Sequence, residues 1–323
     1  MADAQLFIRH SLPEGLRIAV LLPCYNEAAA IGPTVEQFAK ALPGATIYVF
    51  DNNSSDSSVE AAGAAGAIVR RVRQQGKGHV VRRMFADVDA DIYVMADGDA
   101  TYEAAAAPDL IAAMLADNLD MVVGARKSEV DAAYRRGHRL GNLVLTGLLR
   151  QLFGRSFTDI LSGYRVFSRR FVKSFPVLSQ GFEIETEMSV HALELRMPVG
   201  EIVTAYAARP EGSHSKLSTF GDGWRILRTM IQLYRVERPL WFYGFIGLLL
   251  GLLGFVLGIP VIKTYLETGL VPRFPTVIAI VGLGILGALN FMTGLILDTV
   301  TRGRQEVKRL AYLAHSAPSH TIA

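Results

Sequence analysis

The chain has 323 residues and a formal net charge of +3, and half of its residues are hydrophobic. So small a charge does not predict nucleic-acid binding, and the single cysteine, Cys24, excludes an internal disulfide or a cysteine-rich zinc site. The hydrophobic excess lies after residue 239, and the part before it has the composition of a soluble protein. The N-terminal residues carry charges and no long apolar core, so we expect no signal peptide there.

Short apolar segments alternate with helical segments from residue 17 to residue 124. The predicted strands are 17–22, 46–50, 67–72, 92–96 and 120–124, and the predicted helices are 33–42, 57–65, 76–89 and 107–117. This alternation predicts an α/β domain with a mostly parallel, Rossmann-like sheet. Such sheets bind their ligands at the carboxyl ends of the strands.

Three of these strands end in polar segments, 23–27 (PCYNE), 51–56 (DNNSSD) and 97–99 (DGD). Asp97 and Asp99 are two residues apart, a spacing that directs both carboxylates to one side of an extended backbone. Hard oxygen ligands of this kind suit Mg²⁺ or Mn²⁺, completed by water and a substrate diphosphate. The alternative is an ordinary Asp-Gly turn with Asp99 as a helix N-cap.

Two known phosphate-binding patterns are absent from the sequence. No GxGxxG follows the first predicted strand, which disfavours a dinucleotide-dependent dehydrogenase, and there is no GxxxxGK[ST]. Lys77 nevertheless opens a predicted helix, where an anionic group is favoured.

Two uncharged segments, 240–262 and 274–297, are long enough to cross a membrane as helices. Arginine and lysine flank the pair on the outer sides, and the loop between them holds only Lys263 and Arg273. The positive-inside rule therefore predicts that both ends of the pair are cytoplasmic. Residues 220–239 form a basic amphipathic segment that we expect to lie in the membrane interface.

Several motifs together resemble the membrane-anchored polyprenyl-phosphate glycosyltransferases of family 2, which have the GT-A fold and include dolichyl-phosphate mannose synthase and bacterial glucosyl relatives. The matching segments are 23–27, 51–56, 76–78 (GKG), 97–99, 124–126 (GAR), 159–165 (DILSGYR), Arg209 and 215–217 (SKL). The two C-terminal spans are the arrangement of the bacterial branch. Asn52-Asn53, where relatives often have Asp-Gly, departs from the pattern.

The resemblance implies a role for each matched residue. Those implied to bind the nucleotide are Pro23, Tyr25, Asn26, Glu27, Asp51, Asn53, Lys77 and Asp97. Asp99 is the implied direct metal ligand, with Asp97 beside it, and the cofactor is Mg²⁺ or Mn²⁺. Those implied to bind phosphate or the acceptor are Arg126, Arg139, Arg165, Arg209, Ser215 and Lys216.

Asp159 is the catalytic carboxylate that the resemblance implies. A lipid monophosphate has a second pKa of about 6, so it is mostly dianionic at pH 7 and already nucleophilic. An aspartate with an ordinary pKa of about 3.9 is a poor base. Our hypothesis is that Asp159 positions the acceptor or its arginines; the alternatives are an N-cap or a partner for Arg165.

The sequence thus predicts a cytoplasmic glycosyltransferase domain (1–219), an interfacial helix (220–239), two membrane spans (240–301) and a basic cytoplasmic tail (302–323). The expected location is a bacterial-type inner membrane. The expected reaction transfers a hexose, with inversion, from a nucleotide sugar to polyprenyl phosphate, and UDP-hexose is favoured over GDP-mannose. The open alternatives are another lipid acceptor and a catalytically silent nucleotide-binding protein. Glycines at 247, 251, 254 and 258 permit close helix contact and so a homo-oligomer.

Overall fold

The computed structural model describes residues 15–127, 147, 157–179, 183–207, 228, 231–232 and 234–318. The chain divides into two compact units, one of Met1–Ile226 with Lys308–Ala323 and the other of Leu227–Val307. In the described part of the first unit, seven strands form one sheet: Ile18–Cys24 (β1), Thr46–Asp51 (β2), Ile68–Arg71 (β3), Ile92–Met95 (β4), Met121–Lys127 (β5), Arg165–Ser168 (β6) and Val199–Ala205 (β7).

The sheet has the spatial order β3-β2-β1-β4-β6-β5-β7. Only β6 is antiparallel to its neighbours among these strands, so the mostly parallel sheet predicted from the sequence is confirmed. All four residues of β4 are buried, as expected for a parallel strand covered on both faces. Because β2, β1 and β4 are adjacent and parallel, their polar carboxyl ends meet at one edge of the sheet.

The helices of this unit are Ala28–Ala41 (α1), Ser58–Ala64 (α2), Lys77–Asp87 (α3), Ala107–Ala116 (α4), Arg169–Ser174 (α5) and Ile184–Glu194 (α6), with a 3₁₀ turn at Ala104–Ala106. Helix α1 buries Ile31, Val35 and Phe38, which recur at helical spacing and pack into the main core. Burial of these apolar side chains is the main force that holds the helix on the sheet.

Helix α1 begins five residues earlier than the sequence predicted. Pro33, the first residue of the predicted helix, lies inside α1. The earlier turn is stabilised by side chains from the loop before α2: Ser58 Oγ accepts from Glu27 N (2.8 Å), and Asp56 Oδ2 accepts from Ala28 N (3.2 Å). These contacts fix the polar segment 23–27 to the start of the helix.

The second unit contains the helix Pro239–Thr268 (α7) and most of Phe274–Leu313 (α8). Both are long and apolar enough to cross a membrane, with mean hydropathies of 2.6 and 2.1 in their most apolar windows. They pack at glycines: a methyl group at Gly247 would lie only 2.7 Å from the carbonyl oxygen of Gly287. Close approach of backbones at small residues is how helices associate without a hydrophobic driving force. The structure thus supports both predicted segments as candidate membrane spans.

Helix α8 continues well beyond the predicted span, so the predicted tail (302–323) is helical as far as Leu313. From Lys308 onward the chain packs within the first unit. Lys308 Nζ lies 2.6 Å from Glu194 Oε2, and the Tyr312 hydroxyl donates to Asp120 Oδ2 (2.9 Å). The guanidinium of Arg170 lies 4.7 Å from the centre of the Tyr312 ring. Most of the predicted interfacial segment 220–239 lies outside the described residues.

Candidate active site

The polar ends of β1, β2 and β4 are joined directly by backbone hydrogen bonds. Asn52 N donates to Cys24 O (2.8 Å), and Gly98 N contacts Pro23 O (3.3 Å). Three segments that are far apart in sequence therefore form one edge. The predicted convergence of segments 23–27, 51–56 and 97–99 is present.

Side-chain hydrogen bonds hold the first two segments together. Asn26 N donates to Ser54 Oγ (2.9 Å), and Asn26 Oδ1 accepts from Ser55 N (2.8 Å). Asn26 and Asn53 both have positive φ, 52° and 66°, a conformation that asparagine adopts more readily than most residues. Pro23 and Tyr25 are partly exposed beside them, so this edge has both rigid backbone and accessible side chains.

Asp51 and Glu27, both expected to meet the nucleotide, are buried. Asp51 is 1% exposed, and its carboxylate accepts from Ser54 N (3.2 and 3.3 Å). In this structure Asp51 therefore shapes its own loop, and contact with a base remains a prediction. Asn53 Nδ2 donates to Arg73 O (2.7 Å), which ties the same loop to the segment after β3.

Asn52 is a structural residue of the site that the sequence did not single out. Its Nδ2 donates to Val72 O (3.2 Å) and Gln74 O (2.7 Å), and its Oδ1 accepts from Gly76 N (2.7 Å). Gly76 has φ 130° and directly precedes α3, so Asn52 fixes the point at which Lys77 starts the helix. The only signal in the sequence was a polar residue after a strand, which usually indicates no more than a turn.

Lys77 links the DGD segment to a helix more than 100 residues away. Its Nζ lies 2.5 Å from Asp97 Oδ1 and 2.5 Å from Glu185 Oε1, with Lys77 and Glu185 almost fully buried and Asp97 about one-third exposed. Burial alone would lower the pKa of Lys77, but the two carboxylates outweigh it and hold the pKa above its ordinary value. Lys77 is therefore a fixed positive charge at the carboxyl end of β4.

The second aspartate of the pair is held by a neighbouring threonine. Asp99 is 5% exposed, and its Oδ1 accepts from Thr101 Oγ1 (2.6 Å) and Thr101 N (3.3 Å). Between the aspartates, a methyl group on Gly98 would lie 2.8 Å from Ile31 Cδ1 and 3.0 Å from Pro23 O. A side chain at position 98 would therefore disturb the packing of β1 and α1 behind the site.

The acceptor-side residues Arg126 and Asp159 form a two-pronged ion pair. Arg126 Nε donates to Asp159 Oδ2 (2.6 Å), and Arg126 Nη2 donates to Asp159 Oδ1 (2.8 Å). Glu201 fixes the backbone of the same loop by accepting from Thr158 N (2.9 Å) and Asp159 N (3.0 Å). The guanidinium of Arg126 also lies 5.5 Å from the centre of the Tyr206 ring. Asp159 thus has Arg126 as its partner, and the alternative in which it pairs with Arg165 is wrong.

One short loop connects this ion pair to the DGD segment. The loop begins at Asp159 and reaches Gly163, where a methyl group would lie 2.8 Å from Asp97 Oδ2. Gly163 N donates to the Tyr102 hydroxyl (2.9 Å), which holds the loop in place. Asp97 follows β4 and Arg126 lies near the end of β5, and these strands point the same way with β6 between them. Two strand spacings separate the two halves of the site by roughly 10 Å.

Arg165, expected to bind acceptor phosphate, is instead a core residue. It has no exposed surface, and its guanidinium donates to Ser162 O (2.9 Å), Ile160 O (2.5 Å) and Ser189 Oγ (2.9 Å). Burial lowers its pKa to about 10, so it is still a cation at neutral pH. Its physical role is to hold the 159–165 loop, which corrects the prediction. Arg139, Arg209, Ser215 and Lys216 lie outside the described residues.

The residues at the end of β4 fit a divalent cation that shares its ligands with a substrate. Among the described residues there is no group of three or more His, Cys, Asp or Glu side chains that could hold a metal alone. Asp97 and Asp99 offer hard carboxylate oxygens, and the missing side chain of Gly163 leaves space beside Asp97 Oδ2. Such a partial set is what Mg²⁺ or Mn²⁺ uses when water and a diphosphate complete the shell.

Comparisons with known proteins identify the family and the fold. The family model described as Glycosyl transferase family 2 matches residues 19–175. The glycosyltransferase AglJ of Haloferax volcanii is 30% identical over 305 residues, which cover 94% of this chain and all of AglJ. A dolichyl-phosphate hexose transferase of the same organism is 25% identical over 221 residues, covering 68% of this chain and 95% of that protein.

Solved structures show the same fold. The glucosyl-3-phosphoglycerate synthase of Mycobacterium tuberculosis, solved with Mn²⁺, UDP-glucose and phosphoglyceric acid, superposes with a TM-score of 0.54 at 24% identity. The match covers 68% of this chain and 79% of that one. Together with the motifs at the sheet edge, these likenesses show that the chain belongs to glycosyl transferase family 2 and resembles its polyprenyl-phosphate glycosyltransferases.

Proposed function

We propose that this chain transfers a hexosyl group from a nucleotide sugar, UDP-hexose being favoured, to polyprenyl phosphate. The observation that carries the proposal is the 159–163 loop, which touches the Asp97 carboxylate at one end and the Arg126 guanidinium at the other. The Asp97 end offers ligands for a metal ion that binds the donor diphosphate. The Arg126 end offers a positively charged guanidinium for the acceptor phosphate. About two strand spacings, roughly 10 Å, separate the two ends, which leaves room for a sugar between them.

On the donor side, the chain's residues bind and orient the nucleotide diphosphate. The rigid edge formed by segments 23–27 and 51–56 supports the nucleoside, and Asp97 and Asp99 face the diphosphate. A divalent cation bound there neutralises charge that develops on the leaving diphosphate. Lys77 opens helix α3 at the same place, so its charge and the helix N-terminus both favour an anion.

On the acceptor side, Arg126 is the cation that faces the lipid phosphate. A guanidinium binds phosphate oxygens with two parallel hydrogen bonds, and Asp159 holds Arg126 in the required orientation. An oxygen of the acceptor phosphate attacks the anomeric carbon as the bond from that carbon to the donor diphosphate breaks. Attack from the side opposite the leaving group inverts the anomeric configuration.

Asp159 acts in this scheme by positioning Arg126, not as a base. Both of its oxygens accept hydrogen bonds from Arg126, and the acceptor phosphate is mostly dianionic at pH 7. We expect Asp159→Asn to lower kcat/KM for polyprenyl phosphate by about tenfold to 100-fold, with the same loss at pH 7 and pH 9. A large loss that high pH rescues would instead establish Asp159 as the base.

The membrane placement follows from the second unit. Two candidate spans flanked by arginine and lysine support a catalytic unit on the cytoplasmic side of a bacterial-type inner membrane. Anchoring the enzyme beside lipid headgroups raises the effective concentration of a lipid acceptor without any change in chemistry. An epitope tag at the C-terminus, tested for protease accessibility in intact cells and in lysed cells, checks the orientation. A tag digested in intact cells would contradict it.

The main experiment uses the full chain purified in detergent. It is incubated with Mn²⁺, polyprenyl phosphate and one of several nucleotide sugars, and the lipid product is identified by mass spectrometry. We expect one hexose on polyprenyl phosphate from a UDP-hexose, formed about 10²–10³-fold more slowly by Asp99→Asn. Product only from GDP-mannose would change the donor, and product only on diacylglycerol would change the acceptor. No lipid product from any donor would refute the proposal.

A further inference from the structure

Glu185 is a buried carboxylate that no step of the reaction described above uses. It lies in the first turn of α6 and is 4% exposed, and its Oε1 is 2.5 Å from Lys77 Nζ. Glu187 lies in the same turn and has a plainly structural role, because its two oxygens accept from Leu178 N and Ser179 N (2.8 Å each). Glu185 differs because its partner is a charged residue of the candidate donor site.

More carboxylates lie around Lys77 than are needed to neutralise its ammonium group. One carboxylate is enough to pair the ammonium group, yet Lys77 contacts both Asp97 and Glu185. Counted with Asp99, three carboxylates and one ammonium leave a net charge of −2. A divalent cation carries the opposite charge, so the excess matches the cation that the site fits.

Lys77 and the expected cation compete for the carboxylate of Asp97. Its Oδ1 accepts from Lys77, and its carboxylate is one of the two expected to face the cation. When Asp97 turns toward a cation, Lys77 loses one of its carboxylates inside a buried environment. Taking a carboxylate away from a buried ammonium group is costly, and the contact with Glu185 lowers that cost when Asp97 is released.

We propose that Glu185 is a positioning residue that keeps Lys77 paired when Asp97 turns to the cation of the donor complex. The inference rests on the proposed function, because it requires a cation at Asp97 and Asp99. The cation and Lys77 compete for the Asp97 carboxylate. With Glu185 present, Lys77 is also attracted to a second carboxylate, and without Glu185 it competes more strongly for Asp97.

The test measures cation binding directly and does not depend on the lipid acceptor. Free Mn²⁺ is titrated with the full chain in detergent and UDP, and the unbound ion is read from its electron paramagnetic resonance signal. We expect Glu185→Gln to raise the Kd for Mn²⁺ about tenfold, since a neutral amide removes one of the two carboxylates that attract Lys77 and so strengthens its hold on Asp97. Activity at saturating Mn²⁺ should recover most of the wild-type kcat.

Matched variants separate this role from a merely structural one. Glu183→Gln makes the same chemical change at the start of the same helix, where the side chain makes no capping hydrogen bond, and should leave the Kd for Mn²⁺ within twofold. Glu185→Asp keeps the charge and should fall between wild type and Glu185→Gln. If Glu185→Gln folds poorly, Glu185→Asp still tests the inference. In a Lys77→Met background the competitor is gone, so adding Glu185→Gln should change the Kd by much less than tenfold.

Each result bears on the inference. A Glu185→Gln variant with unchanged Kd for Mn²⁺, or with reduced kcat at every Mn²⁺ concentration and no change in Kd, would overturn the positioning role. It would leave the proposed function intact. A wild-type chain that binds no Mn²⁺ in the presence of UDP or GDP would overturn both.

Discussion

Two aspartates next to buried strands of the same sheet have opposite environments. Asp97 follows β4 at the carboxyl edge of the sheet, whereas Asp120 precedes β5 at the opposite edge. The Asp97 side chain is 31% exposed and Asp120 is 0% exposed. Asp120 accepts from Ser168 Oγ (2.7 Å), Arg170 Nη2 (2.8 Å) and the Tyr312 hydroxyl (2.9 Å).

The difference separates a carboxylate that the fold encloses from one that a ligand can reach. Asp120 has no exposed surface, and its oxygens accept from three side chains of the protein itself. Asp97 has one oxygen on Lys77, while its other oxygen borders the space that Gly163 leaves. A buried and fully paired charge stabilises the native arrangement, whereas a charge with an accessible oxygen can bind a ligand.

The largest expected effect is a loss of stability when Asp120 is replaced. Asp120→Ala leaves Arg170 nearly buried without its partner, and removing one member of a buried pair costs about 3–5 kcal/mol. The free energy of unfolding of the full chain, from urea titration, measures this loss. The control is Asp89→Ala, whose half-exposed carboxylate pairs with Arg17 and Arg169 and should cost at most about 1 kcal/mol. Equal losses in the two variants would contradict the comparison.

The next largest expected effect is a loss of activity when Asp99 is replaced. Asp99→Asn removes a charge expected to face the cation, so we expect kcat to fall by about 10²–10³-fold, as for loss of a transition-state stabiliser. Sugar transfer to polyprenyl phosphate measures it, and Asp117→Asn, an exposed position at the end of α4, is the matched control. A variant that kept more than about one-tenth of the activity would remove Asp99 from the site.

A smaller effect depends on pH and involves His191, which packs against Phe171 and Phe175. Burial lowers the pKa of His191 to about 3, whereas an unfolded histidine has a pKa of about 6.5. Between these two pKa values the unfolded state binds more protons than the native state. The free energy of unfolding that His191 contributes is therefore lost as pH falls below about 6.5, by up to about 1.4 kcal/mol per pH unit.

Urea titrations of wild type and His191→Gln at pH 7.5, 6.0 and 5.0 test this titration. The difference at pH 7.5 reports packing and the hydrogen bond between His191 Nε2 and Ser174 Oγ (3.1 Å), because both side chains are neutral there. The wild type should then lose more stability than the variant as pH falls. Parallel pH dependence in the two proteins would rule out the titration of His191.

The smallest expected effect comes from removing one hydrogen bond to Asp120. Tyr312→Phe removes one donor to Asp120 but keeps the ring beside Arg170, so we expect a loss of about 1 kcal/mol, the net value of one hydrogen bond. Urea titration measures the stability, and sugar transfer should stay near wild type. A loss as large as that of Asp120→Ala would mean that Tyr312, not Arg170, is the main partner of Asp120.

Local sequence patterns were enough to predict the strand ends. An apolar run followed by DGD, and two further runs followed by polar segments, placed Asp97, Asp99 and Asp51 at one edge, and the sheet order confirmed that placement. Strands and their ends depend on neighbours in sequence, which alternation and turn residues reveal.

The long-range partners were not predictable from one sequence. Lys77 and Glu185 are 108 residues apart, and nothing local to either residue indicates the other. Arg165 stands in a motif that favoured phosphate binding, yet its guanidinium points into the core because carbonyls of its own loop accept from it. The early start of α1 likewise depends on Asp56 and Ser58, which belong to another segment. These features depend on tertiary contacts that outweigh local preference.

The contact between Lys308 and Glu194 has a consequence for the order of events during synthesis. Glu194 has a fully buried side chain, and its partner is made 114 residues later. At about 5–20 residues per second, the ribosome delivers Lys308 roughly 6–23 s after Glu194. Both candidate membrane spans, 240–262 and 274–297, are translated in that interval. The ion pair between Lys308 and Glu194 therefore forms only after both candidate spans have been made, which ties the packing of the first unit to the synthesis of the second.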